Sequence, residues 1–260
     1  MTNRLHKAPR VLCVVACLAG SVLGLPAQER IEKNLLGFTT PFTPPPVTEI
    51  LGRPTYSSMV LNARSDSDID AYVEFGRTPG RYERSTSPVA VAAFQPVEFL
   101  MDGLAADTRY YYRLQRRPAA TGQYIAGLEH SFMTQRSPGS SFAFALQGDS
   151  HPERAGNMFN SDLYVRTLRA VAAERPDFYL TSGDDFSVDT LRTVNQATVT
   201  ERYTLQVPYL SIVGQSSPLF LVNGNHEQAA RYLLDGSPNN VAVWAQNARN
   251  RHFPQPAPDG

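Results

Sequence analysis

The chain has 260 residues, 42% of them hydrophobic, which leaves room for one large or two ordinary domains and a sizeable core. Lys plus Arg and Asp plus Glu number 24 each. That balance gives no sign of an extended nucleic-acid-binding surface.

In chain order, Arg4, Lys7 and Arg10 precede the apolar run "VLCVVACLAGSVLGLPA". A positive start, an apolar stretch and a small residue read as a cleaved secretory signal over 1–27, ending near Gly24 or Ala27. The run is short for a membrane span, so none is expected in the mature chain. Cleavage removes three of the 24 basic residues and leaves 21 against 24 acidic ones. The expected location is secreted or periplasmic. Both cysteines, Cys13 and Cys17, fall in this segment. Any metal must therefore be held by His, Asp, Glu or Asn. "VVAC" also fits a loose lipoprotein signal anchored at Cys17, and export without an anchor is the reading preferred here.

Residues 28–46 end in "FTTPFTPPPV", a proline-rich spacer unfit for helix or central strand. Over 47–136 short alternating segments follow at β-sandwich spacing: "SSMVLNA", "DAYVEFG", "PVEFLMDGL", "RYYYRLQR" and "LEHSFMT". Leu104, Tyr110, Tyr112 and Leu114 share one face of the period-two pattern; Tyr111 and Arg113 take the other. The tyrosines read as core plus one exposed ring rather than a stacking platform for a ligand. Past the polar "SPGSS" the pattern changes, and 141–260 forms a second region. "FAFALQ", "FYLTSG" and "PLFLVNG" are apolar runs ending in Gly. Between them "SDLYVRTLRAVAAERPDF" has helical spacing, with Ser161 as a cap and Pro176 beyond its end. Runs apolar on both faces and separated by helices imply a parallel sheet covered on both sides. Ligands of such sheets gather at the carboxyl ends of the strands.

Those ends carry "GDSH" (Asp149, His151), "GDD" (Asp184, Asp185) and "GNHE" (Asn225, His226, Glu227). Each is a strand, a Gly and then metal-competent side chains. Alone, each motif is an ordinary turn. Three in order, at the spacing of successive βα units, are poorly explained by chance.

The three motifs resemble, in order, the first three of calcineurin-like metallophosphoesterases. "GLAADTRYYYRL", with Tyr110 at the position of a tyrosine corner, resembles a fibronectin type III domain. That combination is similar to purple acid phosphatases and related exported bacterial phosphoesterases. The resemblance implies an all-β sandwich followed by an α/β metallophosphoesterase domain. It implies two metal ions, divalent or mixed-valence (Fe, Mn or Zn), with a hydroxide between them attacking the phosphorus of a small phosphoester. Asp149 and His151 would hold the first ion, Asp184 would bridge both and Asn225 would bind the second. His226 would not be a ligand; it would face the substrate and protonate the leaving oxygen or stabilise its charge. Asp185 and Glu227 are candidates to orient this set from behind.

The pattern departs from the family in two places. Where purple acid phosphatases carry a metal-binding Tyr, this chain has Ser187. After His226 the sequence offers only His252, without the family's further His motifs. The catalytic module is accordingly expected to be partial, with inactivity of this chain as one outcome. The alternative is a non-catalytic extracellular binding or adhesion protein with a degenerate phosphoesterase domain. Elsewhere, Trp244 fits the buried face of a helix and His130 the last sandwich strand. His252 reads as a surface residue, and Asp185 and Asp189 as solvated.

Overall fold

The computed structural model describes residues 14–15, 42–119, 122–227 and 236–256. Apart from Val14–Val15, the expected signal segment lies outside the described residues. So do 228–235, directly after the third motif. Among the described residues no helix is long and apolar enough to cross a membrane.

Val14–Val15 form a two-residue strand, β1. The first domain is built from β2 (Val47–Gly52), β3 (Met59–Ser65), β4 (Ile69–Gly76), β5 (Arg84–Ser85) and β6 (Val89–Val91). It continues with β7 (Pro96–Met101), β8 (Arg109–Pro118), β9 (Ile125–Ala126) and β10 (His130–Met133). Two antiparallel sheets result. One runs β2-β3-β7; the other runs β10-β8-β4-β5, with β6 beside β4 and β9 beside β8. This is a fibronectin type III-like sandwich. The alternation read from the sequence decides which side chains meet between the sheets: Leu61, Val73, Phe75, Phe99, Tyr112, Leu114 and Phe132 are buried together. The Tyr110 hydroxyl accepts the Ala105 N–H at 2.9 Å, closing the corner that precedes β8.

The second domain is α/β. Its elements are β11 (Phe144–Gln147), α1 (Ser161–Glu174), β12 (Phe178–Thr181), α2 (Gln196–Thr204), α3 (Val207–Gly214), β13 (Leu219–Leu221) and α4 (Val241–His252). The sheet is parallel in the order β1-β11-β12-β13. Helix α1 begins one residue after its cap, because Asn160 rather than Ser161 accepts the Leu163 N–H. Tyr164, Leu168 and Val171 then face the sheet with Tyr179, Leu210, Val213 and Leu219.

β2 is not among the strands expected from the sequence. Its two faces serve two cores, so it shows no polar alternation: Leu51 packs inside the sandwich and Ile50 joins the α/β core. Other contacts seal the same boundary. The Tyr112 hydroxyl donates to the Gln215 carbonyl at 2.8 Å, and Asn62 donates to the Arg251 carbonyl at 3.2 Å. Gly52 lies so close to the chain that a Cβ there would fall 2.1 Å from the Pro254 oxygen.

Candidate metal centre

Strand register brings the motifs together. Gln147 pairs with Thr181 and Thr181 with Leu221, so the three strand ends are level and the three loops emerge side by side. Backbone bonds lock those loops together. Asp149 N–H donates to the Gly183 carbonyl (3.2 Å), and Val188 N–H to the His226 carbonyl (3.0 Å). Asp149, His151 and Asp184 hold left-handed backbone conformations, with φ of 53°, 45° and 61°. Such strain in non-glycine residues gathers where side chains are aimed for function. Two glycines let the second and third loops interlock. A Cβ on Gly224 would stand 2.1 Å from Asp184 Oδ1, and one on Gly183 would stand 2.3 Å from the Gly224 nitrogen.

The Asp149 carboxylate is exposed, with its Oδ1 3.5 Å from Nε2 of the buried His151. His151 Nδ1 is 2.7 Å from Ser187 Oγ. Ser187 therefore helps to hold the His151 imidazole in place. The carboxylate of Glu153, also buried, approaches the same nitrogen at 3.3 Å. His226 stands edge-on to His151, ring centroids 5.2 Å apart. Its Nδ1 lies 2.8 and 2.7 Å from the two oxygens of Asp189. Partial burial opposes protonation of His226. The Asp189 hydrogen bond and charge, helped by Asp184, outweigh it and hold the imidazole pKa above its ordinary value.

Glu227 is buried and gathers four backbone donors. Asp184 and Gly224 N–H groups reach Oε2 at 3.0 and 2.7 Å; those of Asp185 and Phe186 reach Oε1 at 2.6 and 3.0 Å. One carboxylate thus ties the second loop to the third. Asp184 completes the link by accepting the His226 N–H at 3.0 Å.

Two expectations of solvated aspartates need correction. Asp185 is 1% exposed, and its Oδ1 accepts from Gln147 Nε2 (2.8 Å) and Ser150 Oγ (2.7 Å). Burial pushes its carboxyl up to about 6, despite the lowering by those bonds. Asp189 is half-buried against His226. His252 is likewise no surface residue, at 3% exposure, because the sandwich covers its end of α4. Trp244 is half-buried, packed on the edge of the α/β core rather than inside it. Sequence reading also missed Ser187 as a partner of His151, Glu153, and the Asp189 that holds His226. Only the repetition of Asp in "GDDFSVD", a length that can fold back on its own loop, hints at the last.

Asn225 is exposed and joins none of these bonds. Among the described residues no three His, Asp, Glu or Cys side chains stand close enough to hold an ion. The donors themselves nevertheless suit one. His151 has Nδ1 occupied by a hydroxyl and Nε2 turned to a carboxylate, the arrangement that readies an imidazole for metal. Carboxylate, imidazole and amide together suit Fe, Mn or Zn without thiolate.

The sequence matches no protein-family model and no curated protein. In shape the chain is similar to a solved structure of PhoD, with a TM-score of 0.54 and 18% identity. The likeness covers 84% of this chain and 47% of PhoD, so the chain spans about half the length of that protein. A fibronectin type III domain of human collagen XX overlaps 38% of the chain, at 19% identity, 98% coverage of that domain and a TM-score of 0.27. At such identity the likeness to PhoD is one of fold.

Proposed function

We propose that this chain carries the first three strand-end motifs of the catalytic site of an exported, metal-dependent phosphoester hydrolase acting on a small-molecule phosphoester. The observation that carries the reading is the level convergence of three strand ends bearing Asp149, His151, Asp184 and an Asp-oriented His226. Asp149 and His151 would hold one ion, Asp184 would bridge to a second, and Asn225 would bind that second ion. Bound there, Fe, Mn or Zn supplies Lewis-acid polarisation of phosphoryl oxygens and lowers the pKa of water.

The chain's own residues do the rest. Asp189 engages Nδ1 of His226 and leaves Nε2 for the substrate. With its pKa raised, the imidazole is held as the acid that gives a proton to the departing oxygen. Glu227 keeps the Asp184 and His226 loops in one register, so the proton donor and the Asp184 carboxylate hold a fixed separation. Export rests on the positive, then apolar, N-terminal pattern.

The test is metal content and p-nitrophenyl phosphate turnover of the full chain beside Asp184→Ala and Asp189→Asn. Asp184→Ala should lose both metal and turnover; Asp189→Asn should keep metal and lose turnover. Equal metal and equal turnover in wild type and Asp184→Ala would sink the assignment.

A further inference from the structure

A cavity of about 660 Å³ lies between the domains, walled by Arg64, Phe94 and Gln95 of the sandwich and by α2 and α4. That size suits a small molecule, and domain boundaries are favoured places for such sites. None of its lining residues belongs to the strand-end motifs. The wall is cationic. Arg64 lies over the Phe94 ring, 5.3 Å from its centroid, and donates Nε to the Phe94 carbonyl at 3.2 Å. Arg251 donates to Gln95. Among the described residues neither guanidinium forms an ion pair, and Glu201 is the one carboxylate among the described lining residues.

The decisive feature is His252. It is 3% exposed, lines this cavity, and neither ring nitrogen has a hydrogen-bond partner. Buried polar atoms are nearly always partnered, so an orphaned imidazole beside two guanidiniums that have no carboxylate partner among the described residues leaves this corner short of an acceptor. Beside this cationic corner lie Trp244 and the exposed face of Phe94, with amides such as Asn247 between.

We propose that the cavity binds a sugar phosphate, its phosphate held by Arg64, Arg251 and His252 and its ring laid against Trp244. Guanidinium forks match phosphate oxygens in pairs, and an imidazole N–H supplies a further donor. An aromatic face accepts the apolar side of a sugar ring while side-chain amides satisfy its hydroxyls.

The protein carries its own reporter, since Trp244 is its only tryptophan. The full chain is titrated with glucose 6-phosphate in EDTA while tryptophan fluorescence is followed. Inorganic phosphate and glucose serve as separate arms. Saturable quenching is expected with glucose 6-phosphate, at least tenfold weaker binding with phosphate, and none with glucose. Arg64→Gln with Arg251→Gln should weaken binding tenfold or more, and Asp184→Asn should leave it unchanged. Glu201→Gln, an exposed change that removes the opposing charge, should tighten it severalfold. The proposal is overturned by absence of saturable binding at millimolar ligand, by affinity indifferent to both the Arg and the Glu201 changes, or by loss in Asp184→Asn. Equal affinity for phosphate and glucose 6-phosphate overturns the sugar-binding role of Trp244.

Discussion

Replacing Glu227 by Gln keeps size and shape but turns one of two acceptor oxygens into a donor. In the wild type each oxygen takes two backbone N–H groups, Asp184 with Gly224 and Asp185 with Phe186. Whichever way the amide is placed, two of the four donors then face an NH2 group and lose their acceptor in a buried site. Each orphaned donor costs about 1–3 kcal/mol. Relief of the repulsion between Glu227 and the buried Asp185 offsets part of that. A net loss of about 2–4 kcal/mol is expected, large for a single polar substitution. Urea unfolding of the two proteins at pH 7.5, with midpoints and slopes compared, measures it. A loss below about 0.5 kcal/mol with an unchanged slope would refute the reasoning, since two buried donors cannot lose their acceptor that cheaply.

Two further outcomes follow from geometry and burial. Gly224→Ala would set a methyl group 2.1 Å from Asp184 Oδ1, and should displace that carboxylate at a cost of about 1–3 kcal/mol, read by urea unfolding and by loss of bound metal. Acid should destabilise the protein through His252, whose pKa burial, with Arg64 and Arg251 nearby, depresses from 6.5 to about 4. Stability is complete above the unfolded value and falls as the pH drops from about 6.5 through 4, by up to about 3 kcal/mol. His252→Gln should flatten that part of the urea-midpoint profile while His130, also depressed to about 4, keeps the remainder.

The parallel strands were legible because both of their faces are apolar, although only one is fully buried: Leu219 and Leu221 point into the core while Phe220 between them stays half-buried, so no polar alternation shows. The sandwich strands were legible for the opposite reason, as Tyr110 and Tyr112 go inward while Tyr111 stays half-exposed. β2 was hidden because one of its faces belongs to a core formed more than a hundred residues later in the chain. The motif side chains could be named from type and spacing. Their supports could not, since Ser187 and Asp189 act only through tertiary approach to His151 and His226. Asp185 and His252 were misplaced at the surface for the same reason, because nothing local says that another element will cover them.

Ile50 and Leu51 are adjacent in sequence and lie in different cores. One peptide unit therefore acts as a rivet between the two cores, beside the hydrogen bonds of Tyr112 and Asn62 across the same boundary. The sandwich cannot swing or be cut away without stripping a strand's worth of packing from beneath the α/β sheet. Heat or denaturant should meet a single cooperative body, and the strand-end loops rest on a sheet whose packing the sandwich shares.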